Sequence, residues 1–265
     1  MTTLSATLEG IGFWCNGLPS WQAARDYVRT GSLPEAAPAR PSPQLLPPNE
    51  RRRAPDTVAV ALEAAMAACR TAGRDPKTLP SVFASAFGEL AITDYMASTL
   101  AQDPRSVSPT RFHNSVHNAA AGYWTIGTGC MAPTTAISAL EASFAEGLIE
   151  AMAQLAAGAE AVLLVGYDSA AAGPLTNVLR SDGLLGGALA LARDARAGAP
   201  RLRASLETDA PHSEPGPLAR LAGANAMAPM LPLFDALALD AALTSGSAIL
   251  EAGPGRVLRV EWADA

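Results

Sequence analysis

The chain has 265 residues, 49% of them hydrophobic and only 17% charged, with 25 acidic and 19 basic side chains giving a net charge of −6. It is long enough to bury one sizeable core, and its acidity argues against nucleic acid as the main partner. No apolar run reaches membrane-spanning length, so no membrane insertion is expected. The opening MTTLSATLEGIGFW lacks the basic-then-apolar organisation of a secretory signal. Cys15, Cys69 and Cys130, odd in number and without metal spacing, suit a reduced cytoplasm.

In chain order, Leu4 to Trp14 reads as an opening strand ended by the turn-prone Asn16-Gly17, and Ser20 is placed to cap a short helix over Trp21 to Arg29. Leu33 to Arg53 is Pro-rich and reads as a long irregular connection. The Arg51-Arg52-Arg53 run at its end has two readings, an anion site or solvated and locally paired side chains. Thr57 to Ala72 is an Ala-rich amphipathic helix stopped by Gly73, with Cys69 as a small hydrophobe on its apolar face. Ser81 to Ala86 predicts a strand and Ala91 to Leu100 a helix, so the order β, α, β, α points to an α/β sheet.

The richest stretch runs from Pro109 to Asp168. It predicts a loop, a short helix, a strand over Thr134 to Ser138, a sharp turn, a helix over Ser143 to Ala157 and a buried strand over Ala161 to Val165. A strand that enters a helix at a tight corner is where many α/β enzymes hold a nucleophile. Spacing assigns that corner to Glu141, a weak nucleophile. Beyond it, Leu184 to Ala192 predicts another buried strand and Arg201 to Glu207 an edge strand. Leu218 to Gly246 predicts one or two helices, and Arg256 to Trp262 a final strand.

Other chemistry-bearing residues have competing readings. Cys130 and His117 invite a Cys–His pair, but thiol and imidazole must meet in space. His113 and His117 also suit loop ties to backbone carbonyls. His212 belongs to no readable motif. Ser138 and Ser143 flank the corner without a readable Ser-His-Asp order. Asp168, at a strand end, suits a capping role.

Several segments together resemble the N-terminal half of a β-ketoacyl synthase. They are Asn118-Ala-Ala-Ala-Gly122, Thr125-Ile126, Gly129 and Pro133 ahead of the corner, Gly158 to Gly166 (GAEAVLLVG), Arg180 to Ala188 (RSDGLLGGA), and Val82 to Gly88. The resemblance spans roughly Leu4 to Glu207. LLPPNERRRAP and SPTRFHNSVHNAAAGYW are similar to the short group called chain-length factors, which accompany aryl polyene or xanthomonadin-type pigment clusters. The resemblance implies a thiolase-like α/β/α layered fold, truncated to about one ketosynthase half over residues 1–207. Residues 208–265 would then form a C-terminal helical extension with a final strand, packed on the same domain.

The departures from that family carry the functional expectation. Ketosynthases hold a Cys at the start of the buried helix, where the helix dipole favours the thiolate. The spacing from Asn118 puts Glu141 there, so the nucleophile position is degenerate. The two histidines of the synthase C-terminal half have no counterpart in these motifs. The resemblance implies a partner role in which Thr134, Thr135, Ala136, Ile137 and Ser138 pair across a dimer interface with a full-length ketosynthase. Phe87, Arg111 and Phe112 would then line or cross the substrate tunnel. An acyl carrier protein is a further expected partner; no cofactor and no metal are expected, and the location would be cytoplasmic. Three readings follow: a non-catalytic chain-length factor in a heterodimer, a stand-alone acyl-carrier decarboxylase or acyltransferase using Glu141, and a homodimeric acyl-binding module.

Overall fold

The computed structural model describes residues 3–208, 214–239 and 243–264. The chain opens with β1 (Thr3–Cys15), α1 (Trp21–Thr30), the one-and-a-half-turn α2 (Pro48–Arg53) and α3 (Asp56–Ala72). It continues through β2 (Ser81–Ala84), α4 (Leu90–Gln102), α5 (Pro109–His113), α6 (Ala119–Thr128), β3 (Thr134–Ile137), α7 (Ser143–Ala156) and β4 (Ala161–Asp168). The last elements are β5 (Leu185–Ala192), β6 (Arg201–Thr208), α8 (Pro217–Ala222), α9 (Leu231–Leu239), β7 (Ser245–Glu251) and β8 (Arg256–Ala263).

All strands join one eight-stranded mixed sheet in the order β3-β2-β4-β5-β1-β6-β8-β7. Strands β3, β2 and β4 run parallel, as the intervening helices require, and the remaining neighbours are antiparallel. Every residue of β4 and β5 is buried, which explains their continuous apolar sequences. One face of the sheet packs on α1, α7 and α9 through a core that includes Phe13, Phe144, Leu148 and Phe234. The other face packs on α3 and α6 through Trp14, Leu62, Phe83, Trp124 and Tyr167.

Helix α3 lies directly on β1 because two glycines leave room for it. A Cβ on Gly12 would sit 1.9 Å from Ala64 O, and one on Gly10 would sit 2.3 Å from Ala68 O. The small alanines of α3 meet this bare strand, so helix and sheet backbones approach without a cavity. Ser20 caps α1 as its position indicates, its Oγ accepting from Ala23 N at 3.2 Å.

Three expectations change. The Pro-rich connection ends in α2, with Pro48 at its first position where the missing N–H costs nothing. Strand β6 is internal, paired on one side with β1 and on the other with β8. Its alternating sequence reflects cover on one face only: Leu202 and Ala204 point to the core, while Arg203 and Glu207 face outward beside Arg259 and Glu261 of β8. The C-terminal part contains two strands rather than one. Ser245–Glu251 pairs with β8 as the true edge, although Ser245 and Gly246 read as the end of a helical segment. Among the described residues, no helix is long and apolar enough to cross a membrane.

Candidate functional site

The turn from β3 into α7 is made by Leu140–Ala142. Leu140 occupies it with φ 51, a left-handed backbone that costs a non-glycine residue roughly 1–3 kcal/mol unless its surroundings enforce it. The surroundings here are Ser138 and Ser143. Ser143 is buried, its Oγ donates to Leu140 O at 2.7 Å and accepts from Ala139 N at 2.9 Å, clamping both sides of the corner. Ser138 Oγ donates to Ala86 O at 2.9 Å, tying the corner to the turn after β2. The two serines are therefore scaffold.

Leu140, immediately before Glu141, carries the left-handed backbone of the corner. Leu140 offers no nucleophilic atom, and its side chain is 56% exposed. Glu141 is the middle residue of the short turn Leu140–Ala142 and is exposed, next to the N-terminus of α7, where a carboxylate interacts favourably with the helix dipole.

Beneath the corner lies a buried polar framework. Asp168, at the end of β4, accepts hydrogen bonds from Ser85 Oγ at 2.6 Å, Ala86 N at 2.8 Å and Phe87 N at 3.4 Å. Ser85 Oγ also accepts from Gly88 N at 2.8 Å, and His117 Nε2 donates to Ser85 O at 2.9 Å. Asp168 therefore caps the turn that carries Phe87, and His117 serves as a loop tie. Burial pushes the Asp168 carboxyl up to about 7, against the opposite pull of its three hydrogen bonds.

Asn225 completes the framework from the C-terminal side. Its Nδ2 donates to Asp168 O at 3.3 Å, Asp182 O at 3.1 Å and Gly183 O at 3.2 Å, and its Oδ1 accepts from Met227 N at 2.9 Å. Ser181 Oγ donates to Ser169 O at 2.6 Å and accepts from Ala226 N at 3.1 Å. The segment after α8 is thereby fastened to the ends of β4 and β5.

These elements enclose a cleft of about 710 Å³ lined by Phe87, Leu140, Glu141, Val178, Arg180 and Pro229, among others. Its walls are mostly apolar, and Val178 and Leu140 present exposed side chains to it. Of the sequence-derived candidates, Phe87 and Glu141 meet here. Arg111 does not: it lines a separate groove and stacks on Tyr95, 4.0 Å from the ring centroid. Phe112 is exposed on α5. Thr134 to Ile137 form the outer edge strand, with Ser138 immediately after it.

The wall residues Val178 and Asn225 have no sequence signal beyond an apolar residue in a turn-rich segment and an Asn in a short loop. The Cys130–His117 pair does not form: Cys130 is buried with its thiol donating to Leu79 O at 3.5 Å, while His117 is engaged with Ser85. His212 lies outside the described residues. Among the described residues, no cluster of three His, Cys, Asp or Glu side chains is grouped to hold a metal ion.

The fold defines a class: a mixed sheet with helices on both faces, a strained strand-to-helix corner and a buried helix behind it, as in thiolase-like proteins. The family model "Beta-ketoacyl synthase, N-terminal domain" matches residues 21–245, and the chain belongs to that family. A comparison with curated proteins finds no match. Among solved structures, the chain is similar to a chain of the ketosynthase ApeO in complex with its chain length factor ApeC from Xenorhabdus doucetiae. The TM-score is 0.75 at 21% identity, covering 98% of this chain and 99% of that one. The ishigamide ketosynthase/chain length factor matches with TM-score 0.74 at 16% identity, covering 98% and 99%. AntDE:AntF, a type II PKS acyl-carrier protein in complex with its ketosynthase bound to the hexaketide, matches with TM-score 0.75 at 11% identity, covering both chains fully, 100% and 100%. At these identities the likeness is one of fold.

Proposed function

We propose that this chain is a non-catalytic, chain-length-factor type subunit that pairs with a ketosynthase and shapes the cavity in which the acyl chain grows. The observation that carries the reading is the corner itself: neither Leu140, which holds its left-handed backbone, nor Glu141 beside it offers a thiol or hydroxyl nucleophile. The corner keeps its clamps and its buried helix, so what it retains is shape.

The partner would dock on the β3 side. Among the described residues, strand β3 has a hydrogen-bonded neighbour on one side only, the kind of edge a second chain extends. Met131, just before β3, is 95% exposed and Ile126 on α6 is 80% exposed, with Phe112 and Val116 also exposed on the preceding segment. Such apolar exposure suits an interface. In this reading Thr134 to Ser138 form the dimer strand, Phe87 gates the tunnel end, and Arg111 and Phe112 reach toward the partner. Residues 1–207 are then the synthase-like part, and the extension from 208 supplies the cleft wall around Asn225. The solved complexes named above contain a ketosynthase with a chain length factor and, in one, an acyl carrier protein. The same roles for this chain, an aryl polyene or related pigment product and a cytoplasmic location are part of the proposal.

The test is co-expression with full-length ketosynthases that carry the Cys and both His. The expected result is a stable heterodimer that makes defined chain lengths, with no condensation by this subunit alone. A chain that stays monomeric beside every such ketosynthase, or that condenses by itself, overturns the reading. In a reconstituted pair, Phe87→Ala lengthens the products if Phe87 is the gate; unchanged lengths remove that assignment.

A further inference from the structure

One buried ionisable group ties together two parts of the cleft. The Asp168 carboxyl holds the turn that carries Phe87, and its backbone carbonyl accepts from Asn225 on the C-terminal side. Its hold on the turn is uneven. Oδ2 takes Ala86 N at 2.8 Å, whereas Oδ1 serves both Ser85 Oγ at 2.6 Å and Phe87 N at 3.4 Å, a long contact. The start of the turn has other fastenings: His117 Nε2 on Ser85 O, Gly88 N on Ser85 Oγ and Ser138 Oγ on Ala86 O. Among the described residues, Phe87 N has only Asp168. Ser85, Ala86 and Gly88 are buried, while Phe87 is half-buried and lines the cleft. The weakest bond of the turn is therefore the one beside the cleft, where water can enter.

The surroundings of Asp168 favour the uncharged acid. Asp168 is 1% exposed. The nearest charge acting on it is another acid, Glu89, just past the turn. Tyr167 precedes it on β4, and the neighbouring strands β2 and β5 hold no ionisable side chain. Helices α3 and α7 meet β4 through apolar residues such as Leu62, Phe144 and Leu148, with their acids Glu63, Glu146 and Glu150 half-buried. His117 lies behind Ser85, and Arg180 and Asp182, from the segment before β5, are exposed to water.

The consequence has a definite sign. Burial outweighs the three donors and raises the closed-state carboxyl to about 7. A turn swung outward hydrates the carboxyl and returns it toward its ordinary value near 3.9. The closed turn thus binds the proton more tightly than the open one, so opening becomes easier as pH rises. The gain is about tenfold per pH unit between those two values and levels off above the higher one.

We propose that the Phe87 wall of the cleft is a pH-operated hinge with Asp168 as its latch: the acid form keeps the wall closed, and the carboxylate drives it to open toward water. The hinge belongs to the chain alone, so it stands or falls separately from the partner reading.

The test is native-state hydrogen exchange of the full chain, followed by NMR from pH 5 to 8.5 and corrected for intrinsic exchange. The protection of the Ala86 and Phe87 amides should fall by about tenfold per pH unit up to about pH 7 and then level off. Urea well below the unfolding range should leave it unchanged, the mark of a local opening. Amides in the middle of β4 and β5 should stay better protected. The Asp168 carboxyl carbon of the unmutated chain should titrate with a midpoint of about 7, a reading that needs no variant to fold. Asp168→Asn should abolish the pH trend at Ala86 and Phe87. His117→Gln should keep it, which separates the carboxyl from an imidazole that titrates in the same range. A carboxyl midpoint near 4, protection that rises with pH, a trend that survives Asp168→Asn or is lost in His117→Gln, or exchange of Ala86 and Phe87 only together with the β5 amides overturns the hinge.

Discussion

The floor and the rim of the cleft are built in opposite ways. In the floor, meaning the buried framework behind the cleft lining, Asp168, Ser85 and Ser181 join Asn225, which reaches the lining, through bonds to one another's strands and turns. On the rim, Leu140 and Val178 are exposed and apolar, and so are Met131, near the other end of β3, and Ile126 on α6. A buried polar network fixes one geometry because each lost partner strands another group. An apolar rim fixes nothing by itself and gains only when something covers it. The contrast implies a rigid frame that presents an unfinished surface.

The strongest way to break that contrast is through the floor. Asp168→Ala leaves Ser85 Oγ and the Ala86 and Phe87 amides without their acceptor, and should destabilise the chain by about 3 kcal/mol in chemical denaturation. A loss within experimental noise would mean the frame is dispensable. The pH dependence sharpens the same point. With the folded-state value raised to about 7, the native carboxyl holds its proton while the unfolded one, near 3.9, releases it. The native state then binds more protons between those values, so this group's contribution to stability is full below about pH 4 and falls as pH rises to about 7. Asp168→Asn should flatten that slope; an unchanged slope assigns it to other groups.

The rim should respond in binding and not in folding. Met131→Asp leaves thermal stability unchanged, since the side chain touches little, yet weakens the heterodimer by about tenfold or more if it sits in the interface. Equal loss of folding stability would move Met131 out of the rim class.

The corner lies between the two. Leu140→Gly relieves the left-handed φ and should stabilise the isolated chain by about 1 kcal/mol, while removing an apolar side chain from the cleft. Destabilisation instead would show that Leu140 packs as floor. The smallest change is Leu140→Cys, read by iodoacetamide labelling. The new thiol should react first, because burial pushes Cys15 and Cys69 up to about 12 and Cys130 is also buried.

The sequence by itself determined the elements whose environment is uniform along their length. β4 and β5 are buried on both faces and read as continuous apolar runs; α3 and α7 carry helical apolar spacing with glycine stops at Gly73 and Gly158. Short motifs in the right order also carried the family. Only the tertiary structure decided the rest. β6 alternates like an edge strand but is internal, because alternation reports cover on one face and not the presence of a neighbour. That Leu140, next to Glu141, takes the left-handed backbone of the corner was not readable, because a backbone dihedral is set by how strand and helix meet. The floor could not be read at all: Ser85 and Asp168 are 83 residues apart, and Asn225 lies 57 beyond Asp168, so only folding brings their hydrogen bonds together.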